Sequence, residues 1–257
     1  MYRILYAGDL HAADTAEQSP TRFKLHFQRL KKLDQIAIKY NCSAIVQVGD
    51  LGIYSRSSAV MEYFVQDKEL DDGDDRYQKA LAWYFCDGNH DNHQLINELY
   101  EGETRDSAQS LLKTRLFHVP RGGYVKISGV SHVFCGGANT PENCKVLGEW
   151  WPTESITTNE INRFYDTLMA RRPSVVVTHD APSRVPAIAL GVRSGDRSNN
   201  SCVRDLENVY RAALNAKRHY IPRRWVFGHH HVIGEWRVGS TTFNCVGVDG
   251  QYTILSG

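Results

Sequence analysis

The chain lacks what several large functional classes require. No apolar run approaches the roughly 18 residues that suggest a membrane span, so no membrane partner is expected. Neither sign of charge dominates: 30 Lys and Arg stand against 29 Asp and Glu, a formal net charge of +1. A dedicated nucleic-acid surface usually carries a basic excess, and none is present globally. The six cysteines, Cys42, Cys86, Cys135, Cys144, Cys202 and Cys245, contain no Cys-x-x-Cys pair. Free thiols in a reducing compartment fit them better than a disulfide framework. Met1-Tyr2-Arg3 leads straight into a strand-like run without a targeting segment, so the expected location is cytoplasmic. Internal repeats and low-complexity tracts are absent too. A length of 257 residues with 42% hydrophobic content suits one α/β domain over 1–257.

What the chain does have is one pattern, used five times. Ile4-Leu5-Tyr6-Ala7 runs into Gly8-Asp9-Leu10-His11, and Ala44-Ile45-Val46-Gln47-Val48 into Gly49-Asp50. Ala82-Trp83-Tyr84-Phe85-Cys86 precedes Gly88-Asn89-His90-Asp91. Val175-Val176-Val177 ends in Thr178-His179, and Trp225-Val226-Phe227 ends in Gly228-His229-His230-His231. Each apolar run reads as a buried strand, and parallel strands present their carboxyl ends on one side of a sheet. Oxygen ligands and imidazoles gathered there are what a protein needs to hold two divalent metals side by side. Any one of these segments alone reads equally well as a strand-end turn, a helix cap or a surface histidine. Five in succession do not.

The remaining periodicity supplies the frame. Phe23, Phe27, Leu30, Leu33 and Ala37 recur at helical spacing, residues 59–70 continue the alternation, and a short helix is expected over 93–100. Strands separated by helices imply crossovers and a mostly parallel sheet. The texture turns to β over 116–137, and Thr157-x-x-Glu160 offers a capping box for a helix to Ala170. A strand over 174–178, a helix over 203–217 and β runs at 225–228, 233–238, 241–248 and 251–255 complete the pattern. Two packed sheets flanked by helices follow from it. The acidic stretch Asp67 to Arg76 reads as a solvated loop, and Gly191 to Ser201 as a mobile loop placed to act as a lid.

The order Asp-x-His, Gly-Asp, Gly-Asn-His-Asp, Thr-His, Gly-His-x-His resembles the calcineurin-like metallophosphoesterase family. Gly136-Gly137-Ala138 followed by Gly148-Glu149-Trp150-Trp151-Pro152 is similar to a segment of its small bacterial and phage branch. The resemblance implies a four-layer α/β/β/α sandwich. It also implies one metal on Asp9, His11, Asp50 and His231, and a second on Asp50, Asn89, His179 and His229, with Asp50 bridging. His90 would then serve as general acid, with Asn89 helping to stabilise charge. In the protein-phosphatase branch an aspartate three residues beyond Gly-Asp orients this histidine; here that residue is Ile53, leaving Asp91, Asp180 or a backbone carbonyl to do so.

The expected reaction is attack of a metal-bridging hydroxide on a small phosphodiester or nucleotide, 2′,3′-cyclic nucleotides among them. A nuclease, a phosphomonoesterase and a non-catalytic scaffold are the alternatives, so nucleic acid stays open as a substrate. Manganese is the first expected metal, with iron, zinc, nickel or cobalt also suited to mixed imidazole and oxygen ligation. Tyr54, Arg56, Asn92 and His93 follow the motifs closely enough to line the mouth of the site. Trp150 and Trp151 fit core packing better than stacking on a base. His230 is expected to point away from its neighbours, and His26, His118, His132 and His219 to be structural.

Overall fold

In the computed structural model, which describes residues 2–10, 19–69, 81–142, 145, 150–185, 200–216, 220 and 222–257, strands and helices alternate much as the periodicity predicts. The first half runs β1 (Arg3–Ala7), α1 (Pro20–Lys39), β2 (Ala44–Gln47), α2 (Ala59–Glu69), β3 (Trp83–Phe85) and α3 (His93–Glu98). Five strands follow: β4 (Tyr100–Arg105), β5 (Ala108–Leu111), β6 (Leu116–His118), β7 (Tyr124–Ile127) and β8 (Val130–Cys135). Then come α4 (Thr158–Arg171), β9 (Val175–Thr178), α5 (Ser201–Asn215), β10 (Arg224–Phe227), β11 (Ile233–Val238), β12 (Thr241–Val246) and β13 (Tyr252–Ser256).

Local chemistry explains the boundaries. Pro20 opens α1, where a missing N–H costs nothing. At α4 the capping box forms as spelled: Thr157 Oγ1 accepts from Glu160 N, and Glu160 Oε2 accepts from Thr157 N at 2.8 Å. Asn92 and Asn200 cap α3 and α5 through their side-chain oxygens.

The strands form two mixed sheets, β13-β1-β2-β3-β6-β5-β4 and β11-β12-β10-β9-β8-β7. Their centres are parallel and their outer strands antiparallel. Because side chains alternate along a strand, β1 sends Leu5 and Ala7 to one face, packed with Leu30, Leu33 and Phe64 of α1 and α2. Ile4 and Tyr6 face the other way and meet Phe134, Val177 and Val226 from the second sheet. The far face of that sheet buries Val176, Trp225 and Phe243 against Phe164, Leu168 and Leu206 of α4 and α5. Helices, sheet, sheet and helices therefore stack as four layers.

Two elements differ from expectation. The helix from His93 stops at Glu98, and Tyr100 opens a β4–β5 hairpin that the sequence did not announce. Glu101, Gly102, Glu103 and Thr104 are exposed, so β4 carries no apolar alternation to read. Of the acidic stretch, residues 67–69 end α2 and 70–76 lie outside the described residues; of the candidate lid, 191–199 lie outside them, while Asn200 and Ser201 cap and begin α5. His219 and Cys144 are outside as well.

His132 shows how a polar group is accommodated between the sheets. Its Nδ1 donates to Val130 O at 2.9 Å, and its Nε2 lies 2.7 Å from the Tyr6 hydroxyl. Both nitrogens are thus satisfied in the neutral ring, and burial pushes its pKa down to about 4. In the unfolded chain a histidine protonates near 6.5. The unfolded state therefore binds the extra proton between these values, and stability falls as pH drops from about 6.5 towards 4. Urea midpoints at pH 7 and pH 5 should show this loss, and His132→Gln should shrink the difference between them.

Candidate metal centre

The five strand ends converge because β1, β2 and β3 run parallel, as do β9 and β10. Backbone hydrogen bonds stitch the loops that follow: Leu10 N to Asp50 O at 2.9 Å, and Gly228 N to His179 O at 3.0 Å. Gly49 (φ 103°) and Asp50 (φ 55°) both occupy left-handed conformations, a cost for aspartate that functional sites often carry. A Cβ on Gly88 would lie 2.1 Å from Asp50 Oδ1. Only glycine lets the third loop close on the second.

The closest gathering is around His179, which is fully buried. Its Nδ1 donates to Val48 O at 3.0 Å, which leaves Nε2 facing Asn89 Oδ1 at 3.0 Å and Asp50 Oδ2 at 3.3 Å. Fixing one imidazole nitrogen on a carbonyl is how metal-binding histidines are commonly oriented. Ligand atoms of Asp50, His179 and His229 all lie within 4.8 Å of one another. Asp9 joins from β1: its carboxylate accepts from His229 N at 2.9 and 3.2 Å, and Oδ2 stands 3.4 Å from His231 Nε2. His11, expected beside it, lies outside the described residues.

The electrostatics ask for a cation. Burial alone would push the His179 pKa down, but the Asp50 and Asp9 carboxylates outweigh it and raise it to about 10. For His229, burial dominates and pushes the value down to about 4, keeping a lone pair free at neutral pH. Two imidazoles, an amide oxygen and a carboxylate facing one another are a donor set suited to a first-row divalent ion. Such an ion would meet the demand that otherwise draws a proton onto His179. The residues fit the group.

Three supporting contacts escaped the sequence. Asn89 Nδ2 donates to Thr140 Oγ1 at 3.0 Å, and Thr140 in turn donates to the buried Glu154 carboxylate, at 2.5 Å from the hydroxyl and 3.0 Å from the backbone N–H. This turns Asn89 Oδ1 towards His179. Asp87, one residue before Gly88, is buried in a salt bridge to Arg121 at 2.6 Å. Asp180 Oδ1 receives the buried His230 ring at 3.0 Å, and Oδ2 lies 3.9 Å from His229 Nε2. His230 therefore does turn away from the gathering, but not by strand alternation: His229 (φ 63°) and His231 (φ 54°) make the segment a turn.

A family model for the calcineurin-like phosphoesterases matches residues 2–233. The chain belongs to that family. The site just described is where this chain gathers the residue types that the resemblance names. No curated protein matches the sequence. Among solved structures, the sulfate thiohydrolase SoxB of Thermus thermophilus is similar at 11% identity and a TM-score of 0.45, over 97% of this chain and 52% of its own. A putative 5′-nucleotidase from Staphylococcus aureus gives 14% and 0.42 over 99% and 51%. GAP50, an anchor in the inner membrane complex of Plasmodium, gives 10% and 0.48 over 96% and 72%. The chain spans about half the length of the first two. Its family assignment rests on the matched model and not on these likenesses.

Around the rim, the residues expected to meet substrate are engaged in other ways. Asn92 accepts from Leu95 N at 3.1 Å as the α3 cap, Arg56 lies exposed 3.9 Å from Glu98, and His93 sits edge-on to the His118 ring. Tyr54 stacks on Trp151, with ring centroids 5.6 Å apart. Trp150 and Trp151 are both partly exposed, which corrects the expectation that they pack in the core. The two carboxylates named beside His90 make contacts of their own. Asp91 accepts four backbone N–H groups, from Leu51, Gly52, Ile53 and Gly88, and Asp180 serves His230. His90 touches the centre through its backbone, N–H to Asp50 Oδ1 at 2.8 Å.

The Gly88 contact gives a direct test. Gly88→Ala must displace the Asp50 carboxylate, so the purified variant should bind less metal than wild type by elemental analysis while keeping its circular dichroism spectrum.

Proposed function

We propose that this phosphoesterase hydrolyses small phosphodiesters at a site holding two divalent cations. The observation that carries the reading is that Asp50 and Asn89 each bring an oxygen within 3.3 Å of His179 Nε2 at strand ends, with His229 alongside. One cation would be held by Asp9, His11, Asp50 and His231, the other by Asp50, Asn89, His179 and His229. Bound there, the ions supply Lewis acidity towards phosphoryl oxygens and lower the pKa of water. Mixed imidazole and oxygen donors favour manganese, with iron, zinc, nickel and cobalt as substitutes.

The chain's own residues complete the chemistry. Asn89, its amide pinned by Thr140, presents a neutral oxygen and so limits the negative charge at the centre. His90, partly exposed at the rim and tied by its backbone to Asp50, is placed to hold the leaving oxygen and give it a proton. Ile53 stands where a protein phosphatase would place an aspartate: its side chain is buried in the core, its N–H donates to Asp91 and its carbonyl accepts from Asn92 N at 2.9 Å. That departure and the near-neutral charge favour small diesters over phosphoproteins or long nucleic acids. Five buried free cysteines accord with a cytoplasmic setting. Among the described residues no helix is long and apolar enough to cross a membrane.

Asp50→Ala removes a donor common to both ions and should abolish metal binding and turnover together; a variant retaining two metals and near wild-type rate would refute the site. His90→Ala should keep the metals yet lose roughly 10²-fold in rate, most severely for esters with poor leaving groups. An equal loss for good and poor leaving groups would assign it charge stabilisation instead.

With Mn²⁺, the protein should hydrolyse bis-p-nitrophenyl phosphate, and 2′,3′-cyclic nucleotides faster than 3′,5′-cyclic ones, since strain in the five-membered ring lowers the barrier. Phosphoserine-peptide hydrolysis without diester turnover would overturn the substrate class.

A further inference from the structure

A cavity of about 610 Å³ opens beside His229, within the roughly 300–1,000 Å³ range of small-molecule sites. Thr140 and Glu154, which pin Asn89, form part of its wall, so the cavity and the candidate metal centre share residues. Trp150, Pro141 and Pro152 line it as well. The Trp150 indole N–H is buried and, among the described residues, has no hydrogen-bond partner. A buried donor without an acceptor is costly, and this one belongs to a side chain lining a cavity large enough for a ligand. Neighbouring Trp151 is held by its stack on Tyr54, which fixes the backbone that carries Trp150.

The charges narrow the occupant. Lys145 lies 4.6 Å over the Trp150 ring and 2.6 Å from Glu142, so its ammonium is already paired. Glu154 is engaged with Thr140. The wall therefore has no open cationic demand for a second phosphate or an acidic peptide. It offers apolar prolines, an indole edge and an N–H in want of an acceptor. A flat neutral ring with nitrogen or carbonyl acceptors at its edge meets all three.

We propose that this cavity is a nucleobase subsite, with Trp150 as its recognition residue, and that the substrates are nucleoside phosphodiesters. The proposal rests on reading the adjoining rim as the hydrolytic centre. With the phosphoryl group at the rim, the base lies against Trp150 and accepts from its N–H. An acceptor supplied to a buried donor that otherwise has none is worth enough to change affinity about tenfold.

Two measurements on the full chain with Mn²⁺ test it. Titration calorimetry with adenosine, which has no phosphate, should detect binding that weakens about tenfold in Trp150→Ala and less in Trp150→Phe, which keeps a ring but loses the N–H. Kinetics should compare 2′,3′-cyclic AMP with ethylene phosphate, which has the same strained ring and no base. In Trp150→Ala the ratio of their KM values should rise about tenfold, with the ratio of kcat values unchanged. Adenosine binding equal in all three proteins, or equal loss on both diesters, would overturn the subsite. Trp150-dependent adenosine binding without turnover of either diester would uphold the subsite and refute hydrolysis at the rim.

Discussion

A carboxylate is costly to bury unless something positive or hydrogen-bonding meets it, and this chain buries five at or beside one rim: Asp9, Asp50, Asp87, Asp91 and Asp180. Each is answered differently. Arg121 meets Asp87 and, against the cost of burial, holds its carboxyl well below the usual range. Four backbone N–H groups meet Asp91, yet burial and the nearby Asp50 still raise its pKa. His230 and the Ala181 N–H meet Asp180. Asp9 and Asp50 take backbone N–H groups and otherwise face histidines. Asp87 and Asp91 are met by the protein's own groups, whereas Asp180 keeps Oδ2 buried and, among the described residues, without a hydrogen bond, 3.9 Å from His229 Nε2. Asp9 and Asp50 are where a cation would complete the balance.

Arg121 does more than neutralise. It lies in the turn between β6 and β7, and its guanidinium also reaches the carbonyls of Thr153, Glu154 and Ser155 and the Glu160 carboxylate. Glu154 then holds Thr140, and Thr140 holds Asn89. The loop after β3 is thus gripped at Asp87 and again at Asn89 by segments that share one arginine. A single buried cation ties the end of the first sheet to the start of α4, and the orientation of a proposed ligand depends on that tie.

Much of this was legible from sequence because it follows local rules. Apolar runs fixed the strands, Thr157 and Glu160 fixed the start of α4, and glycines before Asp9, Asp50 and Asn89 marked sharp strand ends. Two packed sheets flanked by helices followed from the alternation of strands and helices, and the four-layer order from the family resemblance. What stayed hidden depended on tertiary contact. Arg121 and Glu154 are isolated polar residues with no motif around them; Arg121 acquires its role only when it meets Asp87, 34 residues away, and Glu154 when it meets Thr140, 14 residues away. Strand β4 is polar and exposed, so its pairing with β5 leaves no apolar period. His230 was read from strand alternation, but the left-handed residues on either side show that the segment turns.

Asp91 clarifies why the motif Gly88-Asn89-His90-Asp91 ends in an acid that faces away from the proposed ligands. Its two oxygens gather amides from both sides, three from residues 51–53 after Asp50 and one from Gly88. The second and third strand-end loops are therefore locked to each other from beneath, while Gly88 permits their close approach from above. Any carboxylate spent on orienting His90 would loosen that lock. The His90 backbone is fixed through Asp50, and the residue is partly exposed. Ligand geometry is thus held by rigid, buried contacts, and the group proposed to act on the leaving oxygen stands where substrates of different shape can meet it.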